Sequence, residues 1–435
     1  MRIRDFLEID FILFFAAFIL VVIGVLFIYS SGVTSEGVLI SGEYRRQVVW
    51  GAIGLSIALV ISILNYRRIY DLSVYFYLGS LILLLFTLVF GRIQYGTRWL
   101  RLGSFGFQAS EFTKLSTIIF LAWYLDNTKR SQSVFSRFLI SCLIVFIPTT
   151  IVLIQPDLGT SLVFIPILLG MTFIAGISAR YILFLGLTIV LTGMFLVLPL
   201  WQSTIMRNAF PVLMMLQNFR FAASVSLALF LIAAIAAFGF LRYQKRYFYW
   251  ICYTSGIFIL ALAASFTAQK VLKEYQIMRL IVFMDPNVDP RGSGWHIIQS
   301  ITAIGSGGAF GKGYLQGTQS HYRFLREQST DFIFSILSEE WGFLGGILVF
   351  TLFLIIILRL IRIMRITADT FGSYIVGGLI SMFAFHFFIN VGMTMGIMPI
   401  TGIPLMFLSY GGSALVTAMI GIGFAQSVHV RRFLH

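Results

Sequence analysis

Long apolar runs, separated by short polar segments, are the feature that most constrains how this chain can fold. A transmembrane helix needs about 20 mostly apolar residues, and such runs recur along the whole sequence. Hydrophobic residues make up 59% of the chain and charged residues only 11%, whereas a soluble domain is about half apolar and about a quarter charged. The composition excludes a soluble globular enzyme, a disordered protein and a secreted disulfide scaffold, and it predicts an all-α polytopic membrane protein.

The apolar runs predict about 12 transmembrane helices within a single integral membrane domain, residues 1–435. The predicted spans are 11–30, 47–64, 72–90, 110–126, 138–154, 160–178, 182–200, 224–241, 247–267, 332–358, 372–394 and 412–428. The first run follows basic residues, as in a signal peptide, but it is too long for one and no small-residue cleavage site follows it. It is therefore expected to remain as the first span.

Basic residues orient these spans, because short basic loops stay in the cytoplasm. The net charge is +14. One side carries Arg2, Arg4, Arg67, Arg68, Lys129, Arg130, Arg137, Arg180, Arg242, Lys245, Arg246, Arg359, Arg362, Arg365, Arg431 and Arg432. Both termini are therefore expected to be cytoplasmic, which agrees with an even number of spans.

The extracytoplasmic side has longer connections, and two of them, 91–109 and 268–331, are rich in polar residues and glycine. The second is too long to be a mere linker. This side also carries Arg45, Arg46, Arg92, Arg98, Arg101, Lys270, Lys273, Arg279, Arg291, Lys312, Arg323 and Arg326. An anionic ligand would explain these cations, but long translocated loops tolerate charge freely, so charge alone leaves both interpretations open.

Two aspartates, Asp285 and Asp289, stand in a tightly turned run of the large loop that contains two Asp-Pro pairs and a Gly-x-Gly. Either could be a catalytic carboxylate. Either could equally cap a turn or a helix, and the pattern by itself favours the cap for both.

Lys312 lies in a glycine-rich run, residues 305–313, that resembles a phosphate-binding loop. It is not a Walker A motif, because Ser306 replaces the first Gly and Gly313 replaces the Ser or Thr after the Lys. Glycine N–H groups and one Lys can still wrap a pyrophosphate, whereas composition alone favours a flexible loop.

The large loop closes with Thr330 and Asp331, and Glu339 and Glu340 follow inside the next predicted span. Carboxylates within a membrane are costly and are therefore functional candidates. The alternative is a pair of acids at the lipid headgroups. Adjacent helical residues point to different faces, so at most one of the two glutamates is expected to face a site.

Other polar segments also fall on this side. Arg98 and Trp99 precede Glu111 and Lys114, which share a helix face and form either a buried ion pair or a ligand contact. The segments 155–160, with Asp157, and 399–412, with Ser409, interrupt apolar sequence. Irregular backbone at membrane depth is buried in protein or lines a cavity, so one extracytoplasmic site is the economical explanation. No pair of histidines or cysteines has metal-ligand spacing.

These segments resemble the SEDS family (shape, elongation, division and sporulation). The matching segments, in family order, are 96–103, 108–114, 155–160, 275–279, 289–294, 299–300, 305–313, 330–334 and 402–413. Each is weak alone, but together they are very specific, and the run 312–319 is similar to the branch that acts in elongation. Ala109 and Arg326 replace family prolines, and the predicted spans exceed the family's usual ten by two. The extra pair is expected to be a hairpin inserted near 224–267.

The resemblance implies a peptidoglycan glycosyltransferase of the bacterial cytoplasmic (inner) membrane that polymerises lipid II on the extracytoplasmic face. An inverting attack on the anomeric carbon needs one base, and pyrophosphate leaves unprotonated if cations balance its charge. By match to the family's catalytic aspartate, Asp289 is assigned as the base in the catalytic loop 268–331. The expected substrate-binding residues are Arg98, Trp99, Glu111, Lys114, Asp157, Arg279, Lys312, Thr330, Asp331 and Ser409, of which Arg98, Arg279 and Lys312 are expected to contact the pyrophosphate.

No cofactor is certain, although a divalent cation, Mg²⁺ or Mn²⁺, is an alternative to basic side chains at the pyrophosphate. The expected partners are lipid II, the nascent glycan strand, a class B penicillin-binding protein that supplies the transpeptidase, and the elongation machinery. Nucleic acid is not expected. A lipid II flippase is the alternative function, but it would need a polar path through the spans. A secondary transporter would need broken helices in symmetric halves, whereas the polar breaks here are one-sided.

Overall fold

The computed structural model describes residues 8–90, 99–102, 105–205, 218–290, 292–325 and 327–432. In chain order the elements are α1 (Phe11–Ser31), α2 (Glu43–Ile63), α3 (Arg68–Phe90), β1 (Trp99–Leu102), β2 (Phe105–Gln108), α4 (Ala109–Asn127), α5 (Val134–Ile154), α6 (Leu158–Ile174), α7 (Ala179–Ile205), α8 (Phe219–Tyr243), α9 (Arg246–Val271), α10 (Glu274–Met284), a 3₁₀ helix (Pro286–Val288), α11 (Ser293–Ser306), α12 (Thr318–His321), α13 (Ile333–Ile366), α14 (Thr370–Thr394) and α15 (Gly412–Val430). Every predicted span falls on a helix, which confirms the all-α membrane fold class.

Within the described ranges, 10 helices are long and apolar enough to cross a membrane, so the protein is a multi-pass membrane protein. Two of the predicted spans do not meet this measure. The charges of Glu111, Lys114 and Asp126 make α4 too polar, and α6 has only 17 residues. Both are nevertheless helical where helices were predicted.

The chain divides into two compact units, Met1–Gly176 with Trp295–His435, and Ile177–Gly294. Residues 268–294 of the predicted outer loop belong to the second unit, and residues 295–331 belong to the first. Much of this loop is helical, because it contains α10, the 3₁₀ helix, α11 and α12. One integral membrane domain with 268–331 as its catalytic loop stays a prediction.

In the first unit, α15 packs along α2, α13 contacts α1 and α14, and α14 packs on α4 and α6. Glycine permits the contact between α2 and α15, since a Cβ at Gly423 would lie 2.9 Å from Ala58 O. A Cβ at Gly54 would lie 3.0 Å from Met419 Cγ. Small residues let membrane helices approach closely, and α15 is consequently almost wholly buried.

In the second unit, α8 and α9 form the hairpin expected near 224–267, and α7 contacts both α9 and α10. The hairpin turns at Gln244, whose φ of 50° lies in the left-handed region. That the hairpin is an insertion into the family fold stays a prediction.

A small antiparallel sheet precedes α4, where only an irregular connection was predicted. Trp99 on β1 pairs with Gln108 on β2. Gly106 makes room for the Trp99 ring, because a Cβ there would lie 3.1 Å from Trp99 Cε3. The sheet places Gln108 directly at the start of α4.

Candidate active site

The two aspartates of the tightly turned run have different structural roles. Asp285 caps the 3₁₀ helix, because its Oδ1 accepts hydrogen bonds from the backbone N and the Nδ2 of Asn287, at 2.9 and 3.1 Å. Asp289 follows the other end of this helix and is half-buried. The capping role therefore accounts for Asp285, whereas the assignment of Asp289 as a base stays a prediction.

Two glycines hold the backbone against Asp289. The carbonyl oxygen of Asp289 accepts hydrogen bonds from the N–H groups of Gly292, at 3.3 Å, and Gly294, at 3.0 Å. A Cβ on Gly292 would lie 2.2 Å from Asp289 Oδ2, and one on Gly294 would lie 2.1 Å from Pro286 O. In the Gly-x-Gly, which looked like an ordinary turn signal, Gly292 is therefore needed for the present position of the Asp289 carboxylate and Gly294 for the path of the backbone.

The predicted cations are distributed between the two units. Arg279 lies on α10 in the unit that contains Asp289, with its guanidinium 5.7 Å from the centre of the Tyr275 ring. Lys312 lies in the other unit. Arg98 lies outside the described residues, and its expected contact with pyrophosphate stays a prediction.

The glycine-rich run packs against a break in α13 and is not an open anion-binding loop. The break is at Gly342, with φ 64° and ψ −157°. Lys312 N and Gly313 N donate hydrogen bonds, both at 3.0 Å, to the carbonyl oxygens of Glu339 and Glu340. The break deprives the carbonyl groups of Glu339 and Glu340 of their usual N–H donors within the helix. The N–H groups of Lys312 and Gly313 take the place of these donors, so they are not available to a phosphate.

Two glycines of this run, Gly307 and Gly311, are required by close backbone approach. A Cβ on Gly307 would lie 2.0 Å from Ser338 O, and one on Gly311 would lie 2.0 Å from Glu340 O. The composition that favoured a flexible loop thus reflects tight packing on α13.

Glu339 holds the segment that follows the glycine-rich run. Its side chain is fully buried, and Oε1 accepts hydrogen bonds from Lys312 Nζ at 2.9 Å, Thr318 N at 2.8 Å and Gln319 N at 3.0 Å. Lys312 Nζ also donates to Thr318 Oγ1 at 2.7 Å. The positive charge of Lys312 is therefore already balanced by a buried carboxylate.

Glu340, the next residue, binds the same segment from another side. Its carboxylate accepts hydrogen bonds from the Ser30 hydroxyl and, at 3.1 Å, from Leu315 N. His321 Nε2 lies 3.6 Å from Glu340 Oε1. Both glutamates are engaged, because the chain from 312 to 321 wraps around the helix and meets both faces. That at most one of them faces a substrate site stays a prediction.

Tyr314 lies within this wrapped segment, and its hydroxyl donates to Leu26 O at 2.9 Å. Burial, reinforced by the negative charge of Glu340, raises the pKa of Tyr314 to about 12. The phenol therefore stays protonated at neutral pH and keeps its donor role.

Glu111 and Lys114 form a buried ion pair, with Lys114 Nζ 2.8 Å from Glu111 Oε1. Lys114 Nζ also lies 3.1 Å from His386 Nε2, and His386 Nδ1 lies 3.0 Å from Pro404 O. A carbonyl oxygen only accepts hydrogen bonds, so Nδ1 of His386 carries the proton and Nε2 accepts from Lys114. This arrangement fits the structural interpretation, since the pair connects α4, α14 and the irregular segment after α14.

Asp157 caps the N-terminus of α6, and its Oδ1 accepts a hydrogen bond from Thr160 N at 3.2 Å. Its Oδ2 accepts from Gln108 Nε2 at 2.9 Å. Gln108 N donates in turn to Ser413 Oγ at 3.0 Å. Asp157 thereby ties the small sheet to the start of α15, and its contact with substrate stays a prediction.

The backbone around Asp331 and Ser409 is tied together by amide side chains. Asn390 Nδ2 donates to Asp331 O at 3.0 Å and to Ile403 O at 2.8 Å. Gln47 Nε2 donates to Ser409 O at 3.0 Å. The adjacent Thr330 hydroxyl donates to Glu327 O at 3.1 Å, outside this junction.

The first unit therefore brings Lys114, Asp157, Asp331 and Ser409 to one irregular junction between α14 and α15. Gln47, His386 and Asn390 complete this junction but were not predicted from the sequence. Their only signal was a single polar residue inside an apolar span, which is a functional hint in a membrane.

The described residues of the first unit line a polar pocket and an apolar groove, each large enough for a ligand. A polar pocket of about 510 Å³ lies between the start of α11 and the segment before α13, with Trp295, Arg323 and Glu327 in its lining. An apolar groove of about 790 Å³ runs along α13 and α14, with Phe350 and Phe388 in its lining.

A family model described as "cell cycle protein" (FtsW, RodA and SpoVE) matches residues 10–209 and 201–433. The chain is 47% identical over 433 residues to peptidoglycan glycosyltransferase RodA of Treponema pallidum, covering 99% of this chain and 100% of that protein. It is 33% identical over 392 residues to peptidoglycan glycosyltransferase MrdB of Escherichia coli, covering 90% and 86% of the two chains.

Solved structures give the same result for the fold. One, reported for a peptidoglycan synthase complex that coordinates polymerisation and crosslinking, has a TM-score of 0.65 at 26% identity and covers 98% of this chain and 99% of that chain. The crystal structure of rod shape determining protein RodA of Thermus thermophilus has a TM-score of 0.61 at 23% identity, with 98% of each chain covered. The chain therefore belongs to the FtsW, RodA and SpoVE family of cell cycle proteins.

Proposed function

We propose that this protein is a peptidoglycan glycosyltransferase that polymerises lipid II into glycan strands during cell-wall elongation and cell-shape maintenance. The observation that carries this is the 47% identity, over the full length of both chains, to a protein named peptidoglycan glycosyltransferase RodA. A second relative, at 33% identity, has the same activity in its name. These names favour glycosyl transfer over the lipid II flippase.

In the proposed reaction, the hydroxyl oxygen of one sugar bonds to the anomeric carbon of the lipid-linked donor. Asp289 accepts the proton that this hydroxyl group loses. The bond from that carbon to undecaprenyl pyrophosphate breaks, with inversion, and the leaving group departs as an anion. Pyrophosphate needs cations and not an acid, so a single carboxylate is sufficient where a glycosidase uses two.

Arg279 is the better supported pyrophosphate contact of the two described cations. It lies in the same unit as Asp289 and its guanidinium packs on a ring rather than on a carboxylate. Lys312 is held by the buried Glu339, so a phosphate there would compete with an existing ion pair. We assign Lys312 chiefly to ordering the segment that wraps α13.

A divalent cation, Mg²⁺ or Mn²⁺, could supply further charge at the pyrophosphate. Among the described residues no group of three His, Cys, Asp or Glu side chains could hold a metal ion, and no step is assigned to a metal. Chelation of purified enzyme, followed by addition of each ion during polymerisation, measures this dependence.

We infer a class B penicillin-binding protein as the partner, with its membrane segment in the apolar groove of α13 and α14. A similar solved structure is of a peptidoglycan synthase complex. Gly346 lines the groove beside Phe343, Phe350 and Phe388, and a small residue permits close helix approach. Gly346→Val would add bulk to the groove at a position where the nearest atom to a Cβ is 3.7 Å away. Co-purification of the partner should fall, but should persist with the control Gly186→Val on α7.

Purified protein with labelled lipid II tests the function itself. The proposal expects long glycan products together with release of undecaprenyl pyrophosphate. Movement of intact lipid II across a vesicle membrane, without polymer even when the partner is present, would instead support a flippase.

A further inference from the structure

The polar pocket of the first unit has the size and chemistry of a small-ligand site. Its volume of about 510 Å³ lies within the range of ligand pockets. Trp295 and Phe324 line it with rings that are 37% and 44% exposed. The indole Nε1 of Trp295 donates to Phe324 O at 3.0 Å, so the Trp295 ring is held in place while its surface stays accessible.

Two strained backbone positions line this pocket. Arg323 and Glu327, which both line it, have φ values of 58° and 52°. Non-glycine residues in the left-handed region cost free energy and cluster at functional sites. Neither residue is buried, so core packing does not explain why these two side chains are presented in this way.

The charges of the described lining favour a ligand other than a pyrophosphate. Two carboxylates, Glu43 and Glu327, and one guanidinium, Arg323, line the pocket. A multiply charged anion would be repelled by the carboxylates, whereas a neutral ligand with many hydroxyl groups can donate to them and accept from the guanidinium. Gln328 Nε2 donates to Ser31 O at 2.8 Å, which holds this side of the pocket in place.

We propose that this pocket is a saccharide subsite, which binds the N-acetylated sugars of the glycan strand and not the lipid pyrophosphate. Apolar C–H faces of the sugar rings pack on Trp295 and Phe324. Sugar hydroxyl and acetamido groups bind Glu327 and Arg323. This assignment rests on the proposed function, since it takes the glycan strand as the ligand.

The test uses purified full-length protein and a lipid-free peptidoglycan tetrasaccharide, with binding measured by calorimetry and by saturation-transfer NMR. Trp295→Ala should weaken binding about tenfold or more. Trp250→Ala, at another exposed tryptophan on α9 (49% exposed), is the matched control and should bind like wild type. Inorganic pyrophosphate should not displace the tetrasaccharide.

Arg323→Gly is a second variant that spares the fold, because glycine adopts the left-handed backbone without strain. It should also weaken tetrasaccharide binding about tenfold. Wild-type binding in both variants, or displacement by pyrophosphate, would overturn the subsite. Loss of partner binding with unchanged saccharide binding would also overturn it and mark a protein contact.

The two proposals fail separately. If the wild type polymerises lipid II and both pocket variants bind the tetrasaccharide as the wild type does, the proposed function stands and the proposed subsite is contradicted. A wild-type protein that makes no polymer even when the partner is present loses the function, whatever the pocket variants do.

Discussion

At the residue scale, the position of the Asp289 carboxylate depends on the missing side chain of Gly292. Asp289 and Asp285 could not be separated by their sequence context, since each precedes a proline in a turn-rich run. The structure gives Asp285 a capping role through Asn287. A base must lie within reach of the proton it accepts, so a small displacement of Asp289 should be costly to activity.

Gly292→Ala should therefore lower the rate of lipid II polymerisation by about tenfold or more, because the added Cβ would meet Asp289 Oδ2 at 2.2 Å. The matched control is Gly305→Ala, where no atom lies within 4 Å of the new Cβ. Initial rates measured at equal amounts of folded protein decide the outcome. Equal activity of both variants would contradict the positioning role of Gly292.

The buried ion pair of Glu111 and Lys114 makes a second prediction at this scale. Removing one partner leaves an uncompensated buried charge, so Lys114→Met should destabilise the protein by about 3–5 kcal/mol. The double variant Glu111→Gln with Lys114→Met should recover most of this stability. Thermal unfolding in detergent measures both. A stable double variant without polymerase activity would instead identify the pair as a substrate contact.

The hydrogen-bond partners of single polar residues inside the predicted spans could be predicted only where the partners are close in sequence. An ion pair of Glu111 and Lys114 was one of two interpretations of their sequence, because they are close along the chain. His386, which shares Lys114 with Glu111, was not predicted, because it is 272 positions away from Lys114. Asn390 was missed for the same reason, since its partners Asp331 and Ile403 lie outside its own helix.

At the element scale, the helices followed from the apolar runs because a lipid environment forces the backbone to satisfy its own hydrogen bonds. That rule does not predict where a helix is interrupted when another segment of the chain supplies the missing hydrogen bonds. The glycine-rich run was compared with a phosphate loop from its composition, whereas its N–H groups complete the interrupted ladder of α13. The pairing of β1 with β2 escaped prediction because the strands have only four residues each.

Gly342→Ala tests this repaired break. Alanine at φ 64° is strained, and its Cβ would lie 2.3 Å from Gly311 N, so the protein should lose at least ~2 kcal/mol of stability. Gly346→Ala on the same helix is the control, because its Cβ would meet its nearest neighbour only at 3.7 Å. A comparable unfolding temperature for the two variants would argue against the need for glycine at the break.

At the scale of the whole molecule, the basic loops predict which ends of the helices lie in the cytoplasm, and this orientation can be tested directly. The chain matches its T. pallidum relative over the full length of both chains. The turn at Gln244 should be cytoplasmic and the segment at Asn287 extracytoplasmic. In a background with Cys142 and Cys252 replaced, a membrane-impermeant maleimide should label Asn287→Cys in intact cells. It should label Gln244→Cys only after the membrane is opened. The reverse pattern would invert the topology.

The most direct measurement of the central claim is the initial rate at which purified Asp289→Ala polymerises labelled lipid II, beside wild type and Asp285→Ala. Loss of a general base lowers the rate by roughly 100-fold or more, whereas loss of a cap costs about 1 kcal/mol of stability. The account predicts almost no polymer from folded Asp289→Ala and near-normal polymer from Asp285→Ala. Undiminished polymerisation by Asp289→Ala would contradict it.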